Sequence, residues 1–157
     1  MLPLTSTHTA DMTEEEQKRV KQEAVKHAIE ARSNAYAPYS EYNVGACIAT
    51  ITGENKPNTS PSEIKYYTGA NIENANFTNT THAEQNAINK AVLNGHTDFL
   101  TLAVATKNGD ENGPCGLCQQ HLIEHAPETI PILIQTTNNQ YNEKQLADCT
   151  PFNPDTL

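Results

Sequence analysis

At 157 residues the chain is long enough for one domain with a substantial core and too short for two. It is acidic, with 19 Asp and Glu against 10 Lys and Arg and a formal charge of −9. No short stretch is rich in Lys or Arg, which speaks against a nucleic-acid binder, because phosphate contacts need clustered cations. No run approaches the ~18 apolar residues of a membrane helix. A small, uncharged or weakly charged ligand fits this composition better.

Residues 1–12 read as a loose tail. Met1 to Met12 has neither the basic start nor the apolar centre of a signal peptide, so a reducing, cytoplasmic setting is expected. Thr13 followed by Glu16 is a capping box, and acidic residues crowd the turn it opens. The helix it starts is expected to run to about Asn34, with Val20, Ala24, Ala28 and Ala31 on one face. Pro38 ends any continuation. Tyr42 to Thr52 reads as a strand, Gly53 to Ser62 as a polar turn, and Ile64 to Ile72 as a second strand. Asn74 to Thr81 is a loop, and Thr81 is placed to cap a helix that His82 opens and Asn94-Gly95 closes. Leu100 to Thr106 is a third strand and Asn108 to Pro114 a loop. Cys115 starts a helix that stops before Pro127. Ile130 to Thr136 is a fourth strand, and a short helix is expected around Glu143 to Ala147. Helix, two strands, then helix and strand in alternation make a mixed sheet with helices on its faces.

The chemistry is concentrated in two short motifs. His82-Ala83-Glu84 is answered about thirty positions later by Pro114-Cys115-Gly116-Leu117-Cys118. His82, Cys115 and Cys118 offer one nitrogen and two sulfurs, a donor set suited to tetrahedral zinc. Three protein ligands leave a fourth position open for water. Glu84 stands two residues from a ligand, near enough to handle that water's proton without binding the metal. Both motifs fall at expected helix N-termini, where the dipole and free N–H groups favour thiolate. Taken alone, Cys115-x-x-Cys118 also suits a redox pair. It suits equally one half of a closed structural zinc site, with Cys47, Cys149, His121 or His125 as a fourth ligand. His27, His96, His121 and His125 otherwise read as ordinary helix or surface residues, and Cys47 and Cys149 as small hydrophobes.

The paired motifs are similar to the signature of zinc-dependent deaminases. Two further stretches narrow the resemblance. These are Ala35-Tyr36-Ala37-Pro38-Tyr39-Ser40 with Val44-Gly45-Ala46, and Gly69-Ala70-Asn71-Ile72-Glu73-Asn74-Ala75. With the tail Pro151-Phe152-Asn153-Pro154 and Leu157, they make the chain resemble the free-nucleoside branch, the cytidine deaminases. The resemblance implies a single α/β domain over 1–157, folded as a three-layer α/β/α sandwich. It implies a zinc enzyme that converts cytidine or deoxycytidine to the uracil nucleoside in pyrimidine salvage, acting on a small molecule as a homotetramer, or else a homodimer. In that family the residues matching Asn71 and Glu73 hold the ribose hydroxyls, and on one strand the two would share a face. The residue matching Tyr42 lies against the pyrimidine. The carbonyl of the residue matching Ala83 and the amide of the one matching Cys115 approach the reacting groups. Tyr39, Phe77 and Phe152 match aromatics near subunit boundaries and the sugar end of the site. Glu84 matches the proton carrier.

Three departures from the family pattern stand out. Tyr42 replaces the usual Phe, and its hydroxyl needs a partner. The short, tetrameric branch usually binds zinc with three cysteines and follows its glutamate with an arginine that offsets the thiolates. Here His82 and Gln85 occupy those places. Zinc with two thiolates and a neutral imidazole sums to zero charge, so the arginine is dispensable. Gln119 stands where an arginine usually follows the last zinc cysteine.

Overall fold

The computed structural model describes residues 12–53, 63–109 and 112–149. The N-terminal tail apart from Met12, the polar turn beyond Gly53 and the C-terminal residues, Phe152 among them, lie outside these ranges. Met12 packs against the core.

Helix α1 (Glu14–Ala31) starts at Thr13, whose hydroxyl accepts from the Glu16 N–H while the Glu16 carboxylate accepts from the Thr13 N–H. This is the expected reciprocal cap. Its buried face carries Val20, Lys21, Ala24, Val25, Ala28 and Ala31. A 3₁₀ turn over Arg32–Asn34 finishes the segment. The strands are β1 (Val44–Thr52), β2 (Glu63–Ala70), β3 (Phe99–Thr106), β4 (Pro131–Gln135) and β5 (Tyr141–Gln145). The other helices are α2 (Ala83–Leu93), α3 (Gly116–Ile123) and a single turn, α4 (Leu146–Cys149). The sheet order is β2-β1-β3-β4-β5, with β3 and β4 parallel and the remaining pairs antiparallel.

Alternating strand residues feed two separate cores, and this gives three layers. Ala46 and Ile48 of β1, Leu102 and Val104 of β3, and Ile132 and Ile134 of β4 pack under α2 and α3. Cys47, Ala49, Ala103, Ala105 and Leu133 pack under α1. The period-2 alternation explains the division. It changes phase once, where Ala49 pairs with Thr101 but Thr50 pairs with Phe99, so that Leu100 is an extra residue facing α1. Two glycines seat the helices. A Cβ on Gly69 would lie 2.2 Å from the Ala83 carbonyl oxygen and 2.5 Å from the Ala87 nitrogen. One on Gly45 would lie 2.0 Å from the Ala28 oxygen. Any larger residue at either place pushes its helix off the sheet.

Three expectations need correction. β1 begins at Val44, not Tyr42: Glu41 has φ +57°, and the approach to the strand is a turn. β2 ends at Ala70, so Asn71 and Glu73 are not paired on one strand face. Ile72 instead bridges to Tyr36 on one side and Thr81 on the other. The short helix expected over 143–147 is mostly strand. Tyr141, Glu143 and Gln145 turn inward and Asn142 and Lys144 outward, and the backbone pairs with β4.

One contact explains why so polar a strand is held. Lys21 of α1 is fully buried, and its Nζ donates to Glu143 Oε1 at 2.7 Å. Removing one partner of a buried ion pair leaves the other charge uncompensated, whereas replacing both with apolar residues costs little. Lys21→Ala is therefore expected to lower stability by about 3 kcal/mol. The double change Lys21→Met with Glu143→Leu should recover most of it, as read from urea unfolding midpoints.

Candidate active site

α2 and α3 point their N-termini at one corner, and the capping positions carry the metal donors. His82 is the N-cap of α2 and Cys115 the N-cap of α3, each with an extended backbone. The helices therefore begin one residue later than expected, and His82 takes the capping place assigned to Thr81. N-cap and N3 side chains lie together on a helix start. Cys-x-x-Cys uses that spacing in α3, placing Cys118 beside Cys115. In α2 the same spacing joins His82 to Gln85, whose Oε1 accepts from the His82 N–H at 3.1 Å. Gln85 thus completes the start of the helix that presents His82.

The Sγ atoms of Cys115 and Cys118 each lie 3.3 Å from His82 Nδ1. With Zn–S of about 2.3 Å and Zn–N of about 2.05 Å, tetrahedral ligands would stand roughly 3.5 Å apart. The donor set and its spacing therefore fit zinc. Among the described residues only these three form such a group, with ligand atoms within 4.8 Å of one another. Cys47, Cys149, His121 and His125 do not join it. His121 pairs with Asn89 and stacks edge-on against His125. His96 meets the Tyr67 hydroxyl. His27 packs against the Tyr66 ring. Cys47 is buried in β1, and desolvation pushes its thiol far up.

Electrostatics makes the corner costly without a cation. Burial pushes Glu84 up, against the pull of its own backbone N–H and of His82. Burial likewise drives the Cys118 thiol up, and the neighbouring Glu84 and Cys115 add to it. The thiolate-favouring effect of a helix N-terminus is therefore outweighed at Cys118, which is 0% exposed. A divalent cation reverses that balance.

A cavity of about 290 Å³ opens onto this corner. Tyr42, Asn71, His82, Glu84, Asn112 and Cys115 form its polar wall, with Val44 and Val104 behind. Larger surface cavities of about 600 and 550 Å³ contain neither ligand motif. The Tyr42 hydroxyl finds its partner in Asn112, whose Nδ2 donates at 3.3 Å. Asn71 accepts from the Val44 N–H at 2.8 Å and donates to the Tyr42 carbonyl at 2.9 Å, fixing that wall. Glu73 does not line the cavity. Its carboxylate accepts from the N–H groups of Tyr39 and Ser40 and from the Ser40 hydroxyl. The Ser40 hydroxyl bond, with the two backbone donors, holds Glu73 below the usual carboxylate range. Ala83 is buried beneath the site. Tyr39 and Phe77 meet edge to face at 6.1 Å, both largely exposed and outside the cavity wall. Phe152 lies outside the described residues. Asn112 carried no signal in the sequence; it is an ordinary loop residue whose partner lies 70 positions away.

Residues 18–134 match the family model described as the cytidine and deoxycytidylate deaminase zinc-binding region. The chain belongs to this deaminase family. Its relatives include a cytidine deaminase of Halalkalibacterium halodurans, 33% identical over 83% of this chain and 91% of that protein. One from Sporosarcina psychrophila is 32% identical over 77% and 81%. Among solved structures, the cytidine deaminase of Burkholderia pseudomallei superposes with a TM-score of 0.68 at 28% identity, covering 89% of this chain and 98% of that one. The family's zinc-binding region includes the His82, Cys115 and Cys118 corner described above.

Proposed function

We propose that this chain is a zinc-dependent cytidine deaminase, converting cytidine or deoxycytidine and water to the uracil nucleoside and ammonia. The observation that carries the reading is the three-donor group beside Glu84 on the wall of one cavity. Bound there, zinc supplies Lewis acidity that brings a water's pKa toward ~7. Glu84, nearly buried and on the cavity wall, accepts the attacking water's proton and delivers it to ring N3, which leaves C4 electrophilic. After addition at C4 the same carboxylate takes the remaining proton of the added hydroxyl and gives it to the departing amine, so that ammonia leaves as C4 becomes a carbonyl.

Asn71 spends its oxygen and one N–H on the 42–44 backbone, which leaves its second N–H for a ribose oxygen. Glu73 is assigned to the same sugar and also fixes the Tyr39–Ser40 turn. Tyr42 packs on the pyrimidine, held by Asn112. The Ala83 carbonyl and the Cys115 N–H are assigned to the reacting amidine. Tyr39, Phe77 and Phe152 are assigned to the sugar end of the site and the boundary between copies, in a homotetramer or else a homodimer of single-domain, cytoplasmic chains. No described helix is long and apolar enough to cross a membrane.

The test is ultraviolet absorbance with cytidine, deoxycytidine and deoxycytidylate, on protein of measured zinc content. Loss of the cytosine band with either nucleoside is expected. Zinc-loaded protein that leaves all three unchanged would be a binding module or a deaminase of another compound.

A further inference from the structure

Gln119 follows the last metal cysteine, is only 4% exposed, and is drawn into no step above. Its side-chain Nε2 donates to the Pro114 carbonyl at 2.7 Å and to the Cys149 carbonyl at 2.9 Å. Its main-chain N–H donates to the Cys115 carbonyl at 2.9 Å. One residue therefore grips two consecutive carbonyls on either side of the peptide that carries a metal thiol. The far end of the clamp is itself anchored. Cys149 closes α4, whose Leu146 and Ala147 N–H groups bond to the Ile130 and Glu128 carbonyls.

The amide can sit only one way round. Turning it over would set Oε1 against two carbonyl oxygens. In the orientation found, Oε1 is buried with no hydrogen-bond partner among the described residues. An orphaned buried acceptor is destabilising. The two donated bonds tie the backbone just before Cys115 to the end of α4.

We propose that Gln119 is a positioning residue of the metal centre, clamping the Pro114–Cys115 peptide to the end of α4 so that both thiols are held at ligand spacing from His82. The inference rests on the zinc reading of the corner. It goes beyond that reading in giving the third family departure a role, one in which donated hydrogen bonds and not charge are what the position supplies.

The experiment compares the zinc-loaded wild type with Gln119→Met, which keeps the volume and removes the donors, and with Gln120→Met on the exposed neighbouring position. Outer-shell partners of metal ligands typically change metal affinity by about 10–100-fold. Q119M is therefore expected to release zinc to a chelating dye about 10–100-fold faster than wild type. The cobalt-substituted protein should show a shifted thiolate-to-cobalt band. On cytidine, kcat should fall more than KM changes. Q120M should match wild type in every readout. Wild-type release and an unshifted cobalt band in Q119M would overturn the proposal. If Q119M does not fold, Gln119→Leu takes its place, and loss of the fold in both would overturn it too, by making the residue a core element. A wild type that binds no metal at all would instead defeat the zinc reading itself.

Discussion

Glu84→Gln is expected to leave the fold and the zinc content intact and to lower kcat on cytidine by about 10²–10⁴-fold. Glutamine has nearly the same shape, so the wall of the cavity and the start of α2 are kept. It cannot accept a proton from water or return one to an amine. A single positioned acid–base group contributes about 10²–10⁴-fold. Glu84 serves two transfers in one turnover, but both pass through one side chain, so the losses do not multiply. KM should change little, because the residues assigned to the sugar and the ring are untouched. The measurement is steady-state absorbance on protein with zinc determined in the same sample. Near-normal turnover by E84Q would remove Glu84 from the mechanism and with it the reading of the cavity.

The second large effect is expected at Cys118. Cys118→Ser replaces a fully buried thiol with a hydroxyl that stays protonated and binds zinc poorly. Zinc content is expected to fall to a small fraction of wild type and deamination to drop below detection. Stability should follow, because a ligand that binds only the folded state stabilises it by about 4 kcal/mol at 1,000 times its Kd. Wild-type melting should therefore shift upward with added zinc and downward with a chelator, while C118S melting should respond to neither. A variant that keeps full zinc and turnover would mean that another donor fills the place, and the three-ligand geometry would be wrong.

What could be read from the residues follows the range of the interactions that set them. The metal motif was legible because Cys115 and Cys118 are an N-cap and N3 pair, and that spacing is local. β1, β3 and β4 were legible as apolar runs, and α1 by its cap. β5 was not, because Tyr-Asn-Glu-Lys-Gln carries no hydrophobic run and is held by Lys21, 122 positions earlier. The exit of Asn71 from β2 was missed for a related reason. Its side chain bonds to the backbone at 42 and 44, and that competes with strand pairing only once the two segments meet. The Asn112 partner of Tyr42 and the Cys149 partner of Gln119 were hidden in the same way: each lies across the fold on a segment whose own pattern is unremarkable.

The outermost strands of the described sheet are β2 and β5. β5 is short and polar, and β2 opens on charged residues. Lys144 and Asn142 face solvent on β5, and Glu63 and Lys65 form an exposed ion pair at 2.8 Å on β2. Charged side chains on a sheet's free margin discourage another chain from adding itself as a further strand. Growth of the sheet into a fibre is thereby opposed at both ends. The exposed apolar side chains of Tyr39, Phe77 and Leu117 lie instead on helices and loops, away from both margins.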